Sequence, residues 1–259
     1  MSEYWQDRIS KAQDRLTKKN QKEINKQLVE YYQKASFRVV NAFVNTYNRV
    51  MDSAIQCIEI TPADLYKLNT YWEMQAELKD ALQKLGDKQI DLLNKSFTKE
   101  YMQIYQSLNI SDSGAFSNID EKAAQQIINQ IWAADGESWS KRVWKNTDKL
   151  QQALNDNLLQ CVITGQKSDY LKQKLVEQFN VSYNRADTLV KTELAHIQTQ
   201  AARQRYEDAG IKEVQVWADK DERRCEICGG LHKKKFSIYA NIPIPAHPRC
   251  RCAIVPVIE

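Results

Sequence analysis

The sequence predicts a mainly α-helical protein, an elongated helical body that ends in a small C-terminal antiparallel β module and is therefore of the α+β class. The chain of 259 residues has only seven glycines and five prolines, and four of those prolines lie after residue 240. Because glycine and proline are the residues that interrupt helices, most of the chain can continue as long helices. After Gly210 the apolar residues change from a helical spacing to an alternation of two, which is typical of strands.

The first predicted domain, residues 1–134, is helical. Apolar residues recur at helical spacing from Ile24 to Val50, which predicts one long helix. The charged stretch before it, residues 3–22, either extends this helix or forms a mobile arm. Capping residues and glycines set the limits of the helices that follow. We expect a second helix from the N-cap Thr61 to Gly86, a third from Ile90 to Leu108, and a fourth that begins at Asp120.

The second predicted domain, residues 135–259, starts with three more helices. Their apolar residues again follow the helical period, and serines and glycines mark their ends. We expect them to run from Trp139 to Gly165, from Ser168 to Phe179, and from Ser182 to Gly210.

An acidic residue interrupts the apolar stripe of the last of these helices. Glu193 has apolar residues at helical spacing on both sides, so its carboxylate falls on the face that should be buried. A buried carboxylate needs a partner, and we expect buried Arg185, Arg203 or a backbone donor of the C-terminal tail to supply it. The alternative is an acid at the edge of the stripe with its head group in water. His196, on the same helix, is expected at the surface.

Residues 211–259 are predicted to form the β module. Val214 and Val216 alternate with their neighbours and predict a first strand. Leu231 to Phe236 is expected to return as a second strand, and Cys252 to Pro256 as the closing one. A sheet with so few apolar residues could hardly stand alone, so we expect a metal ion to contribute much of its stability. We also expect the module to dock on the helix around Glu193.

Metal-binding residues are concentrated in this module, which holds four of the six cysteines and two of the three histidines. Cys225 and Cys228 form a Cys-x-x-Cys pair, and His247, Cys250 and Cys252 follow about twenty residues later, a separation that is usual for structural zinc. Five candidates compete for four positions. The spacing favours Cys225, Cys228, His247 and Cys250, with Cys252 as a substitute for either of the last two.

Disulfide bonds and redox chemistry are less well supported uses of these cysteines than metal binding. Disulfides are uncommon in a reducing cytosol, and a redox Cys-x-x-Cys normally opens a helix, whereas Gly229 and Gly230 follow here and can take the positive φ of a metal-binding turn. A structural rather than catalytic zinc is expected, since the surplus of ligands closes the coordination sphere against water. His232 is expected to lie at a strand end, although its position near Cys228 keeps it as an outside candidate.

The hydropathy of the sequence does not predict a membrane-spanning helix. No apolar run approaches about eighteen residues, and the N-terminus lacks the basic start and apolar segment of a signal peptide, so a cytoplasmic protein is expected when it is made.

The net charge of +4 does not by itself indicate nucleic-acid binding. Basic residues do cluster beside the cysteines, namely Arg223, Arg224, Lys233, Lys234 and Lys235.

The order of several residues resembles a known family, the phage head-morphogenesis or minor head proteins of the type named after the F protein of phage Mu. The resemblance covers roughly residues 135–259, and its most specific part is the Cys-x-x-Cys pair followed by the terminal His-Pro-x-Cys-x-Cys. Where relatives usually have arginine before the Thr-Glu pair, this chain has Lys191. The matching positions are Trp139 to Arg142, Gly165, Ser168, Arg185, Thr192, Glu193, Tyr206, Gly210, Trp217, Asp221, Cys225, Cys228 and residues 247–252.

This resemblance implies a non-enzymatic virion component, made in the host cytoplasm and located in the capsid interior near the portal. Its expected partners are the portal protein, other head proteins and, by non-specific contact, DNA; residues 1–134 correspond to a variable leading region. Two alternatives stay open: a zinc-ribbon-like nucleic-acid-binding protein outside virions, and a zinc hydrolase or toxin-associated module with Glu193 as general base. The residues expected to touch DNA phosphates are Arg223, Arg224, Lys233, Lys234, Lys235, Arg249 and Arg251.

Overall fold

The computed structural model describes residues 4–54, 62–108, 121–218 and 225–257. Within these ranges the chain forms long helices and a small antiparallel sheet near the C-terminus, which confirms the predicted mainly α, α+β class. The elements are α1 (Tyr4–Ala54), α2 (Pro62–Tyr66), α3 (Asn69–Ser107), α4 (Glu121–Ile128), α5 (Trp139–Thr164), α6 (Ser168–Asp208), β1 (Glu213–Trp217), α7 (Glu226–Leu231), β2 (Lys235–Ser237) and β3 (Ala253–Pro256).

The N-terminal charged stretch is helical. Helix α1 is continuous from Tyr4, so the described part of residues 3–22 extends the first helix and does not form a separate arm. Its exposed face carries lysine–acid pairs one turn apart, such as Lys11 with Asp7 and Lys18 with Asp14. Such pairs each add a few tenths of a kcal/mol to an exposed helix.

Helix α3 passes through Gly86, so the prediction that a helix ends there is wrong. A Cβ atom at Gly86 would lie 2.4 Å from Cζ3 of Trp144, so the missing side chain makes room for the indole. The glycine serves close packing between α3 and α5, and does not serve as a helix stop. The expected helix starts at Thr61 and Asp120 lie outside the described residues.

Helix α6 is likewise continuous, whereas the sequence predicted a break between Phe179 and Ser182. Ser182 lies inside the helix and is buried, with its hydroxyl 3.2 Å from the hydroxyl of Tyr32. A serine that finds a buried partner need not cap a new helix. The glycine stops of α5 and α6 are as predicted: Gly165 and Gly210 have φ of 59° and 74°, the left-handed conformation of a helix C-terminus.

The sheet has the order β2-β1-β3, and both pairs are antiparallel. Val214 of β1 lies opposite Phe236 of β2 and opposite Pro256 of β3. The predicted first and third strands are present, but the second is shorter than expected, because residues 226–231 form α7 and pairing starts only at Lys235.

The described residues fall into two compact units. The first unit takes its described residues from Met1–Asn25, Leu92–Trp139 and Thr188–Glu259, and the second from Lys26–Asp91 and Ser140–Asp187. The second unit has an apolar core that includes Phe43, Leu78 and Leu154, each with 0% exposure. The first unit contains the sheet and the cysteines of the module. Across the four described ranges, no helix combines the length and apolarity needed to cross a membrane.

Candidate metal centre

The Cys-x-x-Cys pair opens helix α7. Cys225 is the N-cap, and its Sγ accepts a hydrogen bond of 3.3 Å from the backbone N–H of Cys228. Gly229 and Gly230 are helical, so the predicted positive-φ turn at these glycines is wrong; Lys233, with φ of 66°, makes the turn after α7 instead. Because a helix does follow Cys225, the local backbone alone does not separate a redox pair from a metal-binding pair. The other potential ligands near the pair distinguish these two uses.

The second set of ligands comes from the turn that contains His247 and Cys250. The backbone N–H of Cys250 donates to the carbonyl of His247 at 3.1 Å, and Arg249 has a φ of 62°. His247 Nδ1 lies 2.8 Å from the carbonyl oxygen of Pro248, a contact that raises the pKa of His247. In neutral histidine this bond places the proton on Nδ1 and leaves Nε2 as the electron-pair donor, as in histidines that bind metals.

Five potential ligands meet at Cys228. Its Sγ lies 3.2 Å from Nε2 of His247 and 3.7 Å from Sγ of Cys250. Two groups of three have their ligand atoms within 4.8 Å of one another: Cys225, Cys228 and His247 form one, and Cys228, Cys250 and Cys252 form the other. In a tetrahedral zinc–thiolate site, neighbouring sulfurs are about 3.8 Å apart, so the separation of Cys228 and Cys250 fits such a site.

Cys252 joins this cluster because the closing strand begins only at Ala253. Side chains alternate along a strand, so Cys250 and Cys252 would point to opposite faces if their segment were part of one. Residues 250–252 are not part of β3, and both sulfurs approach Cys228. Cys228, Cys250 and Cys252 are all buried.

The thiols of the cluster differ in acidity. A hydrogen bond with Cys252 lowers the pKa of Cys250 to about 5, and the same bond raises the pKa of Cys252. Burial raises the pKa of Cys228 to about 12, while the hydrogen bond from the Cys228 backbone lowers the pKa of Cys225. Metal ions bind thiolates, so a metal held by Cys228 and Cys252 would require both thiols to release their protons.

Hydrogen bonds from Arg249 hold the His247–Cys250 turn on helix α6. The backbone N–H of Arg249 donates to Oγ1 of Thr192 at 3.1 Å. Its guanidinium donates to Oγ1 of Thr188 from Nε at 3.0 Å and from Nη2 at 2.8 Å. The module therefore docks on α6 close to Glu193, through two threonines that lie one turn apart.

Glu193 is 1% exposed and accepts a hydrogen bond of 2.9 Å from Nε1 of Trp132. Arg185 is exposed, so the prediction that it is a buried partner of Glu193 is wrong. Eight residues of helix separate the two by about 12 Å, which is too far for a direct ion pair along one helix. Sequence reasoning missed Trp132, because nothing in its local pattern distinguishes it from a packing residue.

The two other histidines have partners of their own. His196 is 6% exposed and stacks on Trp132 with ring centres 4.3 Å apart, so its predicted surface position is wrong. Burial lowers the pKa of His196 to about 4 and keeps the ring neutral at pH 7. Nδ1 of His232 accepts a hydrogen bond of 3.2 Å from the backbone N–H of Ala218, next to β1.

The basic residues of the module occupy different environments. Lys233, Lys234 and Lys235 are exposed, and Nζ of Lys233 lies 6.0 Å from the ring centre of Trp217. Arg251 is half-buried beside the cluster, and Arg249 is tied to α6. Arg223 and Arg224 lie outside the described residues.

Comparison with known proteins identifies a family for part of this chain. Residues 152–255 match the family model described as phage Mu protein F like protein. The match confirms the resemblance to phage Mu protein F. It covers less than half of the chain, yet it includes all five potential metal ligands, Glu193 and both threonines that hold the Arg249 turn. Searches among curated proteins and among solved structures gave no match. The Mu F-like region therefore contains the candidate metal centre, and the family suggests a role in phage head morphogenesis.

Proposed function

We propose that this protein is a structural minor head protein of a bacteriophage, located in the capsid interior near the portal, which acts in head assembly by binding the portal protein. The observation that carries the proposal is the Mu F-like match over residues 152–255, because it covers the metal cluster together with the helix on which the cluster docks. Other head proteins are the remaining partners, and the site of assembly is the bacterial host cytoplasm.

The proposed cofactor is one structural Zn²⁺. Thiolates and a neutral imidazole are the ligands that zinc prefers in structural sites. Four of the five donors in the cluster, Cys228 included, are enough to complete a tetrahedral coordination sphere. A closed sphere has no position for a reactive water, so the role is not enzymatic. Bound zinc supplies cross-links between segments: Cys225 and Cys228 hold α7, while His247 and Cys250 hold the turn that Arg249 ties to α6.

In this proposal the metal gives the module a fixed surface for the portal. Strand β3 directly follows Cys252, and the hydroxyl of Tyr206 on α6 donates to the carbonyl of Ile254 in that strand at 3.2 Å. A metal ion at the cluster and this buried hydrogen bond therefore hold the same strand at neighbouring points. Loss of the metal would remove one of these two attachments of strand β3, and the surface of the sheet could then move.

Association with the portal protein tests this proposal. The full chain is co-expressed with the portal protein of the same phage, and the complex is purified through a tag on the portal. We expect wild type to co-purify with zinc and Cys228→Ser to lose most of the association, since Cys228 is common to both groups of ligands. Cys161→Ser is the matched control, because Cys161 is equally buried but lies in the core of the second unit. Equal recovery of wild type and Cys228→Ser would contradict the proposal.

Contact with DNA is the second part of the proposal. The exposed run Lys233–Lys235 leads into strand β2. Arg223, Arg224, Arg249 and Arg251 flank this run in the sequence and add positive charge. Phosphate contacts of this kind bind DNA without reading its sequence. A zinc-ribbon-like nucleic-acid-binding protein outside virions would use the same run, and it predicts tight, salt-dependent DNA binding with no association with a portal.

Charge reversal measures the DNA contact. We expect the Lys233–Lys235→Glu variant of the full chain to weaken binding to a duplex and to lower the slope of log affinity against log salt by about three, one for each lysine that no longer neutralises a phosphate. Reversal of Lys26, Lys79 and Lys172, exposed lysines of the second unit, changes the net charge equally and serves as the control. The same weakening in both variants would show that only net charge matters and would remove this part of the proposal.

A further inference from the structure

A partly open cavity of about 510 Å³ lies in the first unit, against the cysteine cluster. One wall is formed by the cluster and the turn that contains His247 and Arg249, and the opposite wall by residues of α1 and α6. Its volume is within the range of small-ligand sites, and polar side chains such as Thr17 and Gln198 line it beside the charged ones.

Four cations from three separate parts of the chain line this cavity. Lys18 comes from α1, Lys191 from α6, and Arg249 and Arg251 from the metal-binding turn. Asp14 is the one carboxylate among the lining residues, and it already pairs with Lys18 at 2.5 Å. Among the lining side chains other than the cysteines and His247, cations therefore outnumber carboxylates.

The metal cluster does not cancel this excess. Zinc bound by three thiolates and a histidine carries a net charge of about −1, and by four thiolates about −2. The four cations outnumber the single carboxylate by three. Counted over the lining groups alone, about one to two positive charges would remain in excess with a metal bound, and such an excess favours an anionic ligand.

We propose that this cavity binds a phosphate group. Guanidinium and ammonium groups are the side chains that bind phosphate oxygens most strongly, and here four of them line one recess. The proposal deepens the proposed DNA contact and rests on it for one source of the phosphate, the DNA backbone. Free inorganic phosphate is the other source.

Isothermal titration of the zinc-loaded full chain with inorganic phosphate, at low salt, tests the cavity directly. The test variant is Lys18→Gln with Lys191→Gln, which removes two cations on helix surfaces and no potential metal ligand. The control is Lys79→Gln with Lys172→Gln, which makes the same charge change at exposed positions of the second unit. We expect millimolar binding by wild type and by the control, and affinity lower by about tenfold in the test variant, since removing each cation weakens phosphate binding by severalfold.

Competition with a labelled short duplex separates the two sources. If phosphate and the duplex compete, and Lys18→Gln with Lys191→Gln weakens both, the site stands with DNA as its ligand. If the variant weakens phosphate binding alone, the site stands with free phosphate as its ligand. Absence of phosphate binding to wild type, or equal binding by the test variant and wild type, would overturn the proposal. The proposed head function is tested by portal association and zinc content, so its failure would be seen separately.

Discussion

Replacement of Glu100 by glutamine should stabilise the protein at neutral and alkaline pH. Glu100 lies on α3 in the first unit with 0% exposure. Oε1 of its carboxyl group is 2.5 Å from the hydroxyl of Thr17, and Oε2 accepts a hydrogen bond of 2.5 Å from the side-chain amide of Asn20. Both partners are neutral, and burial raises the pKa of Glu100 above its ordinary value.

The hydrogen bonds around Thr17 fit a protonated carboxyl group. The Thr17 hydroxyl lies within hydrogen-bond distance of both Glu100 and Oε1 of Gln198, at 2.5 Å and 3.0 Å, but it has one hydrogen to donate. If Glu100 is protonated, its O–H donates to Thr17, and Thr17 donates to Gln198. Glutamine at position 100 reproduces this pattern, since its amide N–H donates to Thr17 and its oxygen accepts from Asn20.

The sign of the pH dependence follows from the raised pKa. Folded protein holds the Glu100 proton more tightly than unfolded protein, so this contribution to stability is complete below the unfolded pKa and is lost as the pH rises through the folded pKa. On mutational scales, burying a neutral polar group without a hydrogen bond costs about 1–3 kcal/mol, and ionising a buried carboxyl group costs at least as much. Glu100→Gln removes that cost, so we expect a gain of about 2 kcal/mol well above the folded pKa, or about 4–8 °C in Tm.

Thermal unfolding of wild type and Glu100→Gln, followed by circular dichroism from about pH 5 to about pH 8.5, measures this gain. Differences between the two proteins at each pH cancel any common effect of metal loss. Glu23→Gln is the control, because Glu23 is exposed and its hydrogen bond with Lys99 lowers its pKa. We expect no gain with rising pH in the control. A Glu100→Gln variant whose Tm stays parallel to that of wild type across this range would refute the reasoning.

Three further predictions concern the packing and the metal. Arg249→Ala removes two guanidinium hydrogen bonds to α6, and we expect metal affinity, measured by competition with a chelator, to fall by about tenfold, whereas Arg249→Lys loses less. Gly86→Ala places a methyl group against Trp144 and should cost about 1–3 kcal/mol in urea unfolding, while Gly230→Ala, with open space around its Cβ, should not destabilise its short helix. Removal of the metal with a chelator should speed amide hydrogen exchange in β1 and β3, and unchanged exchange would show that the sheet does not depend on the metal.

Local sequence signals predicted much of the fold. The apolar period gave the long helices, and Gly165 and Gly210 end two of them, because a residue with positive φ after a helix favours glycine. The change of period after Gly210 predicted the sheet. The spacing of the cysteines and His247 predicted the five potential ligands that lie together in the structure.

The helix breaks that were wrongly predicted share one cause. Gly86 and Ser182 have the residue types of helix ends, but each has a packing partner far away in sequence. Trp144 occupies the space that a side chain at Gly86 would fill, and Tyr32 lies beside the hydroxyl of Ser182. Tertiary contacts of this kind override local preference, and a single sequence does not reveal them.

The polar partners of the buried acidic residues could not be predicted from the sequence either. Trp132 binds Glu193 from 61 positions away, and Thr17 reaches Glu100 from 83 positions away. Tryptophan and threonine at these positions fit ordinary packing or an exposed helix face. Sequence reasoning could therefore place Glu193 on a buried stripe but could not find the group that compensates its burial.

Metal content of the purified full chain tests the central claim most directly. Native mass spectrometry should show about one zinc ion per chain in wild type and in Cys161→Ser, and none in Cys228→Ser, because Cys228 belongs to both groups of ligands. Folded wild-type protein without metal, or a Cys228→Ser variant that keeps its full zinc content, would contradict the account.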